Sequence, residues 1–136
     1  MAMSAHEALI HVMVIAASSD SKVSDRELEI ISRLVNRMPV FEAFDHSNLG
    51  EVAAQAIDLI KDSSNLDKVL GMVLDSLPAR LHDTAYAMAV EVATVDLKLE
   101  QEELRFLEMI RDGLELDNLT AAAIEASARA RLRRVE

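Results

Sequence analysis

The sequence predicts an all-α domain of about seven helices with no sheet, and three observations support this fold class. Helix-favouring Ala, Leu, Met, Glu and Ile dominate, whereas the chain has only three Gly and two Pro. No segment alternates between apolar and polar residues as a half-buried strand does. A short acidic motif occurs twice, each time after a nearly all-apolar stretch. With 136 residues, the chain is expected to form a single helical domain over residues 1–136.

The repeated motif predicts two helical hairpins. Residues 20–28 (DSKVSDREL) recur as residues 96–104 (DLKLEQEEL), an offset of 76 residues. Each copy follows an apolar helix and begins an amphipathic one. We therefore expect residues 5–37 and 81–113 to form two pseudo-symmetric, superimposable pairs of antiparallel helices around a helical core.

The individual helices are predicted from their start and stop signals. Ser4 with Glu7, and Ser24 with Glu27, have the spacing of capping boxes, so the first helix starts at Ser4 and the second at Ser24. Pro39 and the residues after it form a turn or a short helix. Five further helices are predicted over residues 48–61, 66–77, 78–95, 100–113 and 117–134. Gly113 is expected to end the sixth helix in a left-handed turn.

The first and fifth helices are expected to lie at the centre of the fold. Residues 8–17 and 85–93 are apolar on every face, which is typical of a helix buried all round. Each stretch has one ionisable residue, His11 in the first and Glu91 in the second. The two could share a hydrogen bond, or each could reach a groove separately. A structural role is favoured over a catalytic one, since structural pairs also perturb titration.

The repeated motif has an ordinary structural interpretation as a helix start. Ser24 caps the second helix, Glu27 reaches back to the amide of the cap residue, and Val23 packs on Leu28 as a hydrophobic staple. Residues 99–104 repeat these positions in the second copy. The Asp that opens each copy can accept hydrogen bonds from turn amides.

The alternative interpretation of the motif is a site for a hard cation. Oxygen ligands suit calcium, magnesium or manganese, so a divalent cation is the one cofactor suggested by the sequence. The motif is not an EF-hand, because Lys22 and Lys98 occupy its third position and no Gly follows. Helix capping is favoured, although both roles are compatible. The four candidate metal ligands are Asp20, Glu27, Asp96 and Glu103.

Composition and charge exclude several classes of function. The chain has a formal net charge of −10, and residues 91–117 contain nine acids against three bases, so nucleic acid is not an expected partner. No Gly-rich phosphate loop, His-Glu-x-x-His zinc motif or Gly-x-Ser-x-Gly elbow is present, so we do not expect an enzyme. The apolar run at residues 8–17 is too short to span a bilayer, which predicts a cytoplasmic protein without direct membrane insertion.

The two Asp-x-Lys-hydrophobic-x-x-x-Glu-Leu segments, each preceded by a helix rich in small residues, resemble the motif of the TerB-like tellurite-resistance family. The resemblance covers about residues 5–130. It implies an all-helical domain of bacterial stress and tellurite-resistance systems, with suspected metal association and no established catalysis. Gly often follows the Asp in the family's motif, whereas this chain has Ser21 and Leu97 there.

Three functions stay open at this point, in order of preference. The first is a non-catalytic interaction domain in stress response or tellurite resistance, which binds a protein partner through an exposed acidic or apolar face. The second is a divalent-metal binding or sensing domain that uses the paired acidic motifs. The third is a small hydrolase or lyase that uses Glu91 and His11. The sequence does not decide between a monomer and a homo-oligomer.

Overall fold

The computed structural model describes residues 3–17, 23–62, 66–94 and 101–135, with side chains described throughout except at positions 62, 66 and 101–104. Within these ranges the protein has seven α-helices and no strand, which confirms the predicted all-α fold. None of the described helices is long and apolar enough to cross a membrane. The helices are α1 (Ala5–Ala17), α2 (Asp25–Arg37), α3 (Leu49–Asp62), α4 (Leu66–Asp75), α5 (His82–Ala93), α6 (Gln101–Leu114) and α7 (Asn118–Arg131).

The helix α1 is the centre of the core. Every residue from Ala8 to Ala17 is buried, as predicted from its apolar sequence. It packs against α5 and is also covered by α2, α3, α4 and α6. The helix α5 packs in turn against α2, α6 and α7. These contacts bury one continuous apolar cluster to which all seven helices contribute.

Two predicted capping boxes are present at the starts of α1 and α2. The backbone N–H of Ser4 donates to Glu7 Oε1 at 2.9 Å, and the N–H of Glu7 donates to Ser4 Oγ at 3.1 Å. Ser24 and Glu27 make the same pair of bonds, also at 2.9 and 3.1 Å. Because these bonds satisfy amides that lack a partner within the helix, they determine where each helix begins.

Several predicted boundaries differ from the structure. The chain after Pro78 first forms a 3-10 turn (Ala79–Leu81), so α5 begins at His82 rather than at Pro78. The helix α7 starts after its cap Asp117, as predicted, but ends at Arg131 rather than Arg134. These differences arise because tight turns at a helix end have the same composition as the helix itself.

The prediction that Gly113 ends the sixth helix in a left-handed turn is wrong. The helix α6 continues to Leu114, and the left-handed residue after it is Glu115, with φ of 53°. A Cβ atom at Gly113 would lie 2.4 Å from Leu74 Cδ1. Glycine at this position therefore allows the close approach of α4 to α6 and does not form a helix-ending turn.

The two predicted hairpins consist of α1 with α2 and of α5 with α6. His6, at the start of α1, contacts the carbonyl oxygen of Val40, just beyond the end of α2, at 2.8 Å. His82, the first residue of α5, contacts the carbonyl oxygen of Leu114, the last residue of α6, at 3.2 Å. Each contact joins the start of the first helix to the far end of the second. That the two pairs superimpose stays a prediction.

Candidate functional site

The structure describes only one of the four predicted metal ligands. Glu27 is 5% exposed, and its carboxylate accepts the cap N–H of Ser24. Asp20, Asp96 and the side chain of Glu103 lie outside the described residues. Among the described side chains, no group of three or more His, Cys, Asp or Glu residues could hold a metal ion. The capping role of Glu27 is confirmed, and the four-carboxylate metal site stays a prediction.

His11 and Glu91 do not pair with each other. The Nδ1–H of His11 donates to the carbonyl oxygen of Glu7 at 2.7 Å, one turn earlier in α1. Burial lowers the pKa of His11 below its ordinary value, because desolvation disfavours the charged ring. Glu91 instead forms an ion pair with Arg131 of α7. The suggested hydrogen bond between His11 and Glu91 is therefore wrong, because the two side chains have different partners on different elements.

A cleft between α5, α6 and α7 is the best-defined concave site among the described residues. Its volume is about 360 Å³. The apolar side chains along its walls include Val90, Leu107 and Ala128, all of which are buried. A cleft of this size that is mainly apolar and has a few polar groups is typical of a binding site. Its polar lining residues are Tyr86, Thr94, Glu108, Arg111, Glu125 and Arg129.

Three of these polar side chains form one connected cluster in the cleft. The Tyr86 hydroxyl donates to Glu125 Oε2 at 2.6 Å, and Arg111 Nη1 lies 3.5 Å from the same oxygen. Burial and the neighbouring carboxylate raise the pKa of Tyr86 well above its ordinary value. Tyr86 is therefore a neutral hydrogen-bond donor, and the Glu125 carboxylate is held by one neutral and one charged donor.

This cluster is not predicted from the sequence above, although the repeat contains a signal for it. At the offset of 76 residues, Tyr86 corresponds to Ile10, and Glu91 corresponds to Ile15. These two residues of α5 both contact α7, since Tyr86 contacts Glu125 and Glu91 contacts Arg131. Polar residues at positions that are apolar in the first copy would thus have indicated the helix face that holds α7.

The same offset relates the two histidines at the hairpin ends, His6 and His82. His82 Nδ1 faces the carbonyl oxygen of Leu114, and its Nε2 faces that of Leu77 at 3.3 Å. Both ring nitrogens of His82 therefore lie within hydrogen-bond distance of a backbone carbonyl oxygen, one before α5 and one at the end of α6. The two histidines therefore join the start of one helix to the end of the other in each pair.

A second concave surface lies beside the first half of α7, and we call it the Leu119 groove. Leu119 is 80% exposed and is the largest exposed apolar side chain along it. Asp83 is the one charged residue among its described lining. The remaining lining residues are Met38 at the end of α2, Thr84 and Ala87 of α5, and Thr120, Ala123 and Ile124 of α7.

Comparison with known proteins identifies the family of this chain. A family model described as tellurite resistance protein TerB matches residues 6–126. No curated protein and no solved structure matches the chain. The matched segment includes both copies of the repeated motif and extends from α1 into α7. Because the match covers most of its 136 residues, the chain belongs to the TerB family of tellurite-resistance proteins.

Proposed function

We propose that this chain is a non-catalytic interaction domain of a tellurite-resistance or stress-response system, and that it binds a partner protein through the Leu119 groove. The observation that supports this most directly is the 80% exposure of Leu119 at the edge of an apolar groove. Removing a large apolar side chain from water is favourable, so a partner that covers it and its apolar neighbours binds more tightly. The family membership supports the assignment to tellurite resistance.

The charges around the groove indicate the chemistry of the partner. Asp83 lines the groove, and the exposed Asp117, which caps α7, accepts hydrogen bonds from Thr120 of the same lining. The described lining contains no Lys or Arg. The groove therefore suits a segment that presents an apolar side chain flanked by basic residues, because complementary charge favours encounter with such a partner.

The experiment compares Leu119→Lys with Val135→Lys in cells that lack the chain's own gene. Both residues are exposed and apolar, and both substitutions add the same charge. Leu119→Lys removes the apolar contact and places a cation where a basic partner would bind, so we expect it to lower tellurite tolerance as far as deletion of the gene does. Val135→Lys should leave tolerance at the wild-type level.

Two outcomes would contradict the proposal separately. If deletion of the gene leaves tellurite tolerance unchanged, the assignment to this resistance system is wrong. If deletion lowers tolerance but Leu119→Lys does not, while both variants keep the wild-type melting temperature and abundance, the partner binds elsewhere on the domain.

A further inference from the structure

We propose that the cleft between α5, α6 and α7 binds a small amphipathic carboxylate with an alkyl chain of medium length. This ligand site is separate from the Leu119 groove, because the two share no lining residue. The proposal rests on the cleft's volume, on its apolar walls and on the distribution of charge at its polar end.

The volume and the walls determine the size and the body of the ligand. A water molecule occupies about 30 Å³ of liquid, so a cleft of about 360 Å³ has room for on the order of ten atoms of similar size. The apolar walls offer no hydrogen-bond partner to a polar ligand, because they are formed by the side chains of Val90, Leu107, Ala128 and Leu132. The body of the ligand is therefore an alkyl chain of roughly that number of atoms.

The polar groups determine the charge of the ligand. Glu125 already accepts a hydrogen bond from Tyr86 and lies next to the positive charge of Arg111, so its own charge is compensated without a cationic ligand. Arg111 uses only Nη1 in that contact, and its remaining N–H groups can donate to another acceptor. Within the described part of the chain, Arg129 makes no ion pair although it lines the same cleft.

Glu108 is the one lining acid that lies outside this cluster, and it is exposed. Water screens an exposed carboxylate, whereas the guanidinium of Arg111 is only 37% exposed. Arg129 is exposed as Glu108 is, so water screens these two opposite charges alike, and the partly buried guanidinium of Arg111 keeps N–H groups for an anionic head group. A carboxylate at this end can form charge-assisted hydrogen bonds with a guanidinium, while an amine cannot.

The chain contains a single tyrosine and no tryptophan, so the intrinsic fluorescence of Tyr86 reports on this cleft alone. The test titrates the full chain with octanoate, octanol and octylamine, which share an alkyl chain and differ in the charge of the head group. We expect octanoate to change Tyr86 emission in a saturable manner and to bind about fivefold more tightly than octanol, the gain of one partly exposed ion pair. Octylamine should bind more weakly than octanol.

Three variants locate the binding. Ala128→Leu extends a side chain into the cleft and should weaken octanoate and octanol by at least about tenfold, because it removes part of the apolar volume. Ala130→Leu adds the same group at an exposed position of α7 and should change neither. Arg129→Gln should weaken octanoate about threefold and leave octanol unchanged, since only the carboxylate uses the guanidinium.

A measurement on the wild type keeps the proposal testable if Ala128→Leu fails to fold. Octanoate should shift the backbone amide resonances of Val90, Leu107 and Ala128 and leave that of Leu119 unchanged. Equal affinity for all three ligands, shifts confined to the Leu119 groove, or binding to anionic phospholipid vesicles without binding of free octanoate would each overturn the proposal. None of these outcomes depends on the tellurite phenotype, so this site and the proposed partner groove fail independently.

Discussion

The central helices of the two hairpins differ in polarity at two matched positions that face α7 in the second copy, where α1 has Ile10 and Ile15 and α5 has Tyr86 and Glu91. The two isoleucines are buried within the apolar core. The tyrosine and the glutamate instead make polar contacts with α7. At these positions α1 thus makes only apolar contacts with its neighbours. The helix α5 makes polar contacts with α7, and a cleft lies beside them.

This difference shows how a repeated unit acquires a site. Apolar faces occur in both copies, whereas the Ser-x-x-Glu boxes at Ser4 and Ser24 are replaced in the second copy by Arg80 with Asp83 and by Glu100 with Glu103. The polar substitutions are specific to the second copy, and they lie on the face of α5 that meets α7. The cleft between α5, α6 and α7 therefore lies where the second copy departs from the first.

The largest effect is expected from truncation of the matched pair Ile15 and Glu91. Ile15 is 2% exposed, so Ile15→Ala leaves a buried cavity and should lower the unfolding free energy by about 2–5 kcal/mol. Glu91→Ala removes an ion pair whose side chains are 28% and 53% exposed, so the loss should stay below about 1 kcal/mol. Urea denaturation measures both values. Equal losses would show that the two positions have the same structural role.

The next effect in size concerns the hydrogen bond that Tyr86 makes with α7. Tyr86→Phe removes a donor to a carboxylate and should cost about 1.5 kcal/mol of unfolding free energy. A double-mutant cycle with Glu125→Ala isolates the contact, and its coupling energy should account for most of that loss. A coupling energy near zero would mean that Tyr86 stabilises the fold only through apolar packing, as Ile10 does.

The pH dependence of the same contact has a defined sign. Because the pKa of Tyr86 is raised above its ordinary value of 10.0 in the folded protein, the unfolded chain loses this proton first. The unfolding free energy should therefore fall as the pH rises above about 10. Tyr86→Phe, compared with the wild type over this range, should remove that part of the slope.

The third prediction tests whether the two capping motifs are equivalent. Glu27→Ala should cost about 1 kcal/mol because the cap N–H of Ser24 loses its acceptor, whereas Glu27→Gln should be mild because the amide oxygen still accepts. Glu103→Ala should cost the same as Glu27→Ala if the second copy starts its helix in the same manner. Thermal and urea denaturation of the three variants provide the comparison.

Large and equal losses for Glu27→Ala and Glu27→Gln would instead favour the predicted metal site, since only that role needs the charge. A cation that binds the folded state alone adds about 2.7 kcal/mol at one hundred times its dissociation constant. Calcium, magnesium or manganese should then raise the melting temperature of the wild type but not that of the Asp20→Asn, Asp96→Asn double mutant. Unchanged melting temperatures with all three ions would leave each motif as a capped turn.

The smallest effect is expected from His11, whose counterpart in the second copy is Ala87. Burial lowers the pKa of His11, so between the folded value and the ordinary value of 6.5 the unfolded chain binds more protons. The unfolding free energy should fall as the pH drops below about 6.5, by at most about 1.4 kcal/mol per pH unit for one proton. His11→Gln should show a shallower slope than the wild type, and identical slopes would contradict the assignment.

Much of the fold follows from local features of the sequence. The Ser-x-x-Glu boxes at Ser4 and Ser24 specify two helix starts, because their hydrogen bonds lie within four residues of chain. The apolar stretch at residues 8–17 predicts a buried central helix, since no face of it can remain in water. These signals are short-range, and the structure agrees with them. The location of the candidate cleft could not be predicted from such short-range signals.

Only the tertiary structure decides which distant side chains meet. Nothing local to Tyr86 indicates Glu125, which lies 39 residues later, and nothing local to Gly113 indicates that Leu74 would fill the space of its missing side chain. Likewise, the composition around His11 and Glu91 predicts only that each needs a partner; packing assigns them to Glu7 and Arg131. By itself the sequence determined the helices, their repeat and the family, because these depend on local spacing. The packing of α7 on α5 determined the cleft, because that contact joins residues far apart in the chain.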